Sequence, residues 1–371
     1  MTADAPPLYV RVMGAVVQID VPDGSSRERL ARQWSRALTD APTGEDPPQI
    51  QARAGDEDDE AVRDYGVTTQ VTMAGLQATA GRRVNLHAGG VSDDRGRLLA
   101  MVAASGTGKT TATMALSTRL HYLSDETVSI DPEGTVWAHP KPLSVIVDAD
   151  ATYAKAQISP DDLGFLSTPP TAQLTRLVLL RRGGPGPRGL TRLPLAQSLL
   201  QLVEQSSSLA QLPRPLHTLV SLTEQTGGVW VLDYDEIQEH VDELVALLDE
   251  PVELSGSSYD DTYGSLEWHA GSDHSPLSAT EPGEGPPLAR RPFVEAVGVG
   301  RELVVMTGSH AWLLADVTAA IWLLLDRPRS VEELVAATQE QFGAHEKAPE
   351  VVREAVLTLE QHELVATGSL T

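Results

Sequence analysis

The run Ala103-Ala104-Ser105-Gly106-Thr107-Gly108-Lys109-Thr110 brings small residues, two glycines, a lysine and a hydroxyl together. It follows the apolar LLAMV and precedes Ala112, Ala115, Leu116 and Leu120, which share one face of a helix expected over 109–120. Strand, loop and helix in that order are the context a phosphate-cradling loop needs. Gly106 and Gly108 let successive backbone N–H groups turn toward phosphate oxygens, and the helix start adds partial positive charge. Lys109 is expected to reach the β- and γ-phosphates, and the Thr110 hydroxyl to ligate Mg2+. Ser105, Thr107 and Thr111 complete the expected cradle. Ala103 stands where such loops usually have their first glycine, and a small residue there keeps the turn.

Transfer from a nucleotide needs a second Mg2+ contact and a group that handles the acceptor's proton. Asp125-Glu126 follows the apolar stretch after the loop helix. A βαβ-like path would return the two acids to the carboxyl end of the sheet, beside Lys109 and Thr110. An acidic turn is the plainer alternative, and position favours the functional one. His87, in NLHAGG, sits at a strand-to-turn junction ahead of the loop strand, within reach of either the phosphates or the Asp125 carboxylate. Arg181 and Arg182 end the apolar run LTRLVLLRR beside GGPGPRG. There a guanidinium could clamp a phosphoryl group, although a solvated strand end explains them more simply.

The elements that must hold these groups are legible in outline. Residues 8–21 alternate as strands, and Ser25-Ser26-Arg27-Glu28 reads as a capping box opening a helix with Leu30, Trp34 and Leu38. Residues 40–64 read as an exposed loop, and VTTQVTMAG and RRVNLHAGGV as strands. Leu195, Leu199, Leu202 and Val203 mark a helix and VWVLDY a strand, after which Asp235 is expected to cap a helix. Residues 251–288, rich in Ser, Gly, Pro and acid, read as a flexible linker. Beyond them come strand-like runs at 293–299 and 302–307 and a helix expected over 312–325. A capping-box helix from Ser330-Val331-Glu332-Glu333 to Gly343 and a last helix from Pro349 complete this part. The expected division is 1–75, an αβ segment; 76–250, the phosphate-loop domain; 251–288, the linker; and 289–371, a small α+β domain.

Composition narrows the function. The 371 residues hold 28 Lys+Arg against 52 Asp+Glu, a net charge of −24, which disfavours nucleic-acid partners and anionic membranes. With no cysteine, disulfides, thiolate metal sites and a cysteine nucleophile are excluded. No apolar run is long enough to span a bilayer, and MTADAPPLYV does not read as a secretory signal, so a cytoplasmic location is expected.

Together LHAGGV, AASGTGKTT and HYLSDETV, spanning Leu86 to Val128, resemble the HPr kinase/phosphorylase-like family. The resemblance implies an α/β P-loop kinase core using ATP and Mg2+. It implies Asp125 as proton acceptor, Glu126 with Thr110 as Mg2+ ligands, and His87 as active-site histidine. Glu126 replaces the commoner second Asp, and the downstream signature of the bifunctional enzymes is missing. Phosphorylase activity and HPr as substrate are therefore not implied. The last eighty or so residues, through Leu313-Leu314-Ala315-Asp316-Val317-Thr318-Ala319-Ala320-Ile321-Trp322 and Ser330-Val331-Glu332-Glu333-Leu334, resemble PqqD-like domains. That likeness implies a winged-helix-like α+β fold that takes a precursor peptide's leader as an added strand. A DNA-binding winged helix or a dimerisation unit are the alternatives, and the excess of acids disfavours the first. The combined expectation is an ATP-dependent kinase of a Ser/Thr hydroxyl in a ribosomally made precursor peptide, with the core at the kinase site and other maturation enzymes as further partners. An amino-acid kinase recruited to such a complex and a non-catalytic nucleotide-binding adaptor are the other readings.

Overall fold

The computed structural model describes residues 5–44, 46–52, 60–146, 155–184, 186–252, 266–272 and 287–367. Two compact units emerge, Met1–Leu193 with Gln205–Pro213 and Thr218–Leu254, and Pro194–Glu204 with Arg214–His217 and Ser255–Thr371.

The first unit opens with β1 (Leu8–Val12) and β2 (Ala15–Asp20), a hairpin, then α1 (Gly24–Gln33), β3 (Gln49–Gln51) and α2 (Glu60–Thr79). Val10, Val12, Val17, Ile19, Trp34, Val67 and Val71 form their shared core. Three expectations are corrected here. VTTQVTMAG lies in α2, because Val67, Thr68, Val71, Thr72 and Gly75 recur at intervals that fall on one buried helical face. The buried hydroxyls of Thr68 and Thr72 donate to carbonyls four residues back, which satisfies them without a sheet partner. The cap of α1 is Asp23, whose carboxylate accepts from the Ser26 amide at 2.8 Å, rather than a box at Ser25. Within 40–64, residues 49–51 are strand and 60–64 helix; 45 and 53–59 lie outside the described residues.

A nine-stranded sheet follows, built from β4 (Val84–Ser92), β5 (Arg97–Val102), β6 (His121–Ser124), β7 (Thr127–Ile130), β8 (Thr135–Trp137), β11 (Thr171–Arg182), β12 (Gly189–Leu193), β13 (Ser206–Ser207) and β14 (Val229–Tyr234). Its main path is β12-β14-β11-β5-β4-β7-β8, with β6 and β13 also on β4. β5, β11 and β14 are parallel neighbours, and their near-continuous apolar runs suit strands covered on both faces. α3 (Lys109–Leu116) and α6 (Val241–Leu247) pack on one face through Ala112, Leu116, Leu244 and Leu247. A side chain at Gly89 of β4 would collide with Thr113, so this glycine is what lets α3 lie so close. β9 (Leu143–Ile146) and β10 (Lys155–Ile158) form a separate antiparallel pair. The helix expected over 109–120 ends at Leu116, and Asp235 caps nothing: its carboxylate binds Arg188 at 2.7 Å, ahead of a 3-10 turn at Ile237–His240.

The second unit contains α4 (Leu195–Glu204), the start of α5 (Pro215–Gln225), β15 (Glu267–Ser272), β16 (Leu288–Arg290), β17 (Phe293–Val299), β18 (Glu302–Thr307), β19 (His310–Ala315), α7 (Asp316–Leu324), α8 (Val331–Phe342), α9 (Ala348–Gln361) and β20 (Val365–Thr367). Its antiparallel sheet has the order β15-β17-β18-β19. Leu303, Val305 and Leu314 on one face meet Ile321, Trp322, Leu334, Val352 and Leu359 of α7, α8 and α9. The alternate residues Val304 and Met306 are fully buried as well, and α4 packs on β18 and β19. Glu295 of β17 is buried and accepts from the amides of Leu216 and His217 in the first turn of α5. The capping box at Ser330 and Glu333 forms as read from the sequence, and Gly343 ends α8. Two expectations change. The apolar run 312–325 splits into β19 and α7, because Asp316 takes φ +48° and breaks it. Part of the expected linker is ordered as β15; 253–265 and 273–286 lie outside the described residues.

Candidate active site

The loop leaves the carboxyl end of β5, and its two glycines sit at φ +81° (Gly106) and +100° (Gly108), backbone that side chains rarely adopt. Ser105 and Gly106 are exposed and Gly106 borders open space, so the rim of the loop stands clear for an anion. The Lys109 ammonium lies over the loop and donates to the carbonyls of Ala103 at 2.7 Å and Ala104 at 3.1 Å. Burial pushes its pKa down to about 8, against the charges of Glu126 and Asp125. The phenol of Tyr234, at the end of β14, donates to the Thr107 carbonyl at 2.9 Å. Thr111 is exposed on α3.

The acidic pair arrives beside the loop by a route that differs from the expected one. β6 is not a parallel neighbour of β5; it pairs antiparallel with β4, and Asp125-Glu126 is the link between β6 and β7 on that same strand. The Ala88 amide donates to the Glu126 carbonyl at 3.1 Å, and the Ala103 amide to the His87 carbonyl at 3.3 Å, so the acids, His87 and the exit of β5 converge. Asp125 is buried, and its Oδ2 accepts from the Thr110 hydroxyl at 3.3 Å. Glu126 has a side chain 43% exposed. His87 is half-buried; burial and the Lys109 ammonium lower its pKa, leaving a neutral imidazole at pH 7. Its amide donates to the Gln205 carbonyl at 2.7 Å.

Two contributors had no motif to reveal them. Lys141 places Nζ 3.0 Å from Asp125 Oδ1 and 3.3 Å from Glu126 Oε2. Burial alone would lower its pKa, but the two carboxylates outweigh that and raise it. Tyr122 lies within 3.2 Å of Asp125 Oδ1 and 3.1 Å of the Lys141 carbonyl, and its one proton serves one of them at a time. Burial and the Asp125 charge raise the phenol's pKa well above its ordinary value, so it remains a donor. Only the run of charge and hydroxyl in HYLSDE hinted at Tyr122.

Arg181 makes a two-pronged bond to Asp233, 2.6 Å on each prong, and Arg182 bonds Glu236 at 2.8 Å. Both guanidinium groups thus engage acids of their own unit, in keeping with the simpler reading. Thr110 with Asp125 presents hard oxygen donors of the kind Mg2+ accepts, and open loop amides beside an ammonium suit a polyphosphate; the residues fit both groups. Among the described residues no helix is long and apolar enough to cross a membrane.

No curated protein matches the chain. A solved structure described as "Structure of the Hpr(Ser) kinase/phosphatase from Coxiella burnetii" is similar over 44% of this chain and 93% of its own, at 10% identity and a TM-score of 0.27. Residues 302–365, from β18 to the start of β20, match the family model for Coenzyme PQQ synthesis protein D (PqqD). The carboxyl-terminal part of the resemblance read from the residues therefore meets a family match, in a chain whose first unit is mixed α/β and carries a glycine-lysine-threonine loop.

Proposed function

We propose that the protein is an ATP-dependent phosphotransferase acting on a Ser or Thr hydroxyl of a ribosomally made precursor peptide. The observation that carries this reading is the convergence of Lys109, Thr110, Asp125 and Glu126 at the exit of one strand. The loop amides and Lys109 hold the phosphates, while Thr110 and Asp125 would hold Mg2+, which would supply charge neutralisation. Asp125 is the better metal-side acid, because it is buried and already bonded to Thr110. Glu126, half exposed beside it, is the better proton acceptor, which reverses the roles that the family resemblance implies. A bond forms from the acceptor oxygen to the γ-phosphorus as the bond to the bridging oxygen of ADP breaks, and the hydroxyl proton passes to Glu126.

The PqqD-like segment supports a peptide acceptor. β19 is an edge strand among the described residues, so a leader can add there by backbone hydrogen bonds. Holding the leader raises the local concentration of a weakly bound core to about millimolar.

The test combines full-length protein, Mg-ATP and a candidate precursor peptide that carries its leader. A mass gain of one phosphate is expected, suppressed by excess free leader. Glu126→Gln should cut turnover about 100- to 10,000-fold with nucleotide still bound, whereas Asp125→Asn should weaken Mg-nucleotide binding itself. ATP turnover with no phosphopeptide under any condition overturns the peptide reading.

A further inference from the structure

Lys141 stands between Pro140 and Pro142, and its side chain is 1% exposed. A following proline holds a residue in extended backbone. The Lys141 amide donates to the His139 carbonyl at 2.8 Å, and the His139 amide to the Leu123 carbonyl at 3.0 Å. The segment is thereby tied to β6, the strand that delivers Asp125. The ammonium meets Asp125 Oδ1, Glu126 Oε2 and, at 3.2 Å, the Pro142 carbonyl, so its three protons face three acceptors. A lysine is almost never fully buried unless paired, and this one is paired to both acids of the candidate site.

Two adjacent carboxylates beside a hydroxyl are hard donors that would draw divalent ions. Here one of their two charges is already cancelled by a cation that is part of the chain. We propose that Lys141 is the resident cation of the acidic pair. It stands where a second divalent ion would otherwise settle, so the site accepts a single divalent ion, delivered with the nucleotide to Thr110 and Asp125. Its nucleotide arm rests on the phosphoryl-transfer reading; its nucleotide-free arm does not.

The experiment is a Mn2+ titration of the full-length protein followed by electron paramagnetic resonance. Without nucleotide, the wild type should leave Mn2+ essentially free, and Lys141→Met should bind one Mn2+ at least about tenfold more tightly. Lys141→Arg should behave as the wild type. Equal Mn2+ binding by the wild type and a folded Lys141→Met, checked by circular dichroism, overturns the proposal. Should Lys141→Met fail to fold, the wild type with a nonhydrolysable ATP analogue decides. One Mn2+ per complex supports the proposal and two overturn it. If the analogue does not bind at all, the phosphoryl-transfer reading falls, and the nucleotide-free wild type then decides: Mn2+ left free supports the role of Lys141, and one Mn2+ bound overturns it.

Discussion

The phenol of Tyr234 and the carbonyl of Thr107 are joined by a 2.9 Å hydrogen bond that fastens the 103–110 loop to the end of a strand two places away in the sheet. The same hydroxyl stands 3.0 Å from where a β-carbon on Gly108 would lie. One side chain therefore both braces the loop and sets the space a glycine must leave.

Tyr234→Phe removes the brace and leaves the packing. The expected result is nucleotide binding weakened about 3- to 10-fold, the range for one hydrogen bond of roughly 0.5–1.5 kcal/mol, with thermal stability little changed. Gly108→Ala meets both the φ of +100° and the tyrosine, and should abolish binding. Fluorescent-nucleotide titration measures both. Undiminished binding by Gly108→Ala would mean the loop does not hold phosphate.

The pH dependence follows from Lys109. Its pKa is pushed down from 10.5 to about 8, first by burial, so between those values the unfolded chain carries a proton that the folded one lacks. Stability from this group therefore rises with pH across that window. Bound phosphates would favour the ammonium and draw its pKa back up. Nucleotide binding at about pH 8.5 should then take up a fraction of a proton. Calorimetry in two buffers of different ionisation enthalpy reads that uptake, and its absence would place the ammonium away from the ligand.

The packing of α4 gives a third expectation. Leu199 is fully buried on its apolar face. Leu199→Ala should cost about 2–5 kcal/mol, felt in the unit that α4 helps to build. Hydrogen exchange should quicken in β18 and β19 while β5 and β11 keep their protection. Uniform loosening of all four strands would contradict the assignment of α4 to the C-terminal sheet.

How much of this could be read from residue order depends on how local the cause is. The strand, loop and helix around 103–110 and the box at Ser330 and Glu333 are set within a few residues, and as local structure both form where the residues place them. α2 misleads because valines and threonines four apart satisfy a strand's period of two and a helix's face equally well. Lys141 lies sixteen positions beyond Asp125, in a proline-flanked stretch with no regular pattern, and only the return of the chain past β6 joins them. The apolar stripe of α4 announces that the helix is buried but carries no word about which sheet receives it. Nor does an aspartate inside LLADVTAA announce the φ that splits the run into strand and helix.

The location of α4 has a topological consequence. The polypeptide steps out of the first unit after Leu193, lends ten residues to the second as a helix, and is back by Gln205, whose carbonyl receives the His87 amide. Residues 214–217 repeat the excursion and end at Glu295. Each unit is therefore assembled from separate stretches of the chain. Severing the chain between Val252 and Leu266 would leave the carboxyl-terminal fragment clasped by a helix that belongs to the other piece, so neither half is a module that scissors or recombination could lift out intact.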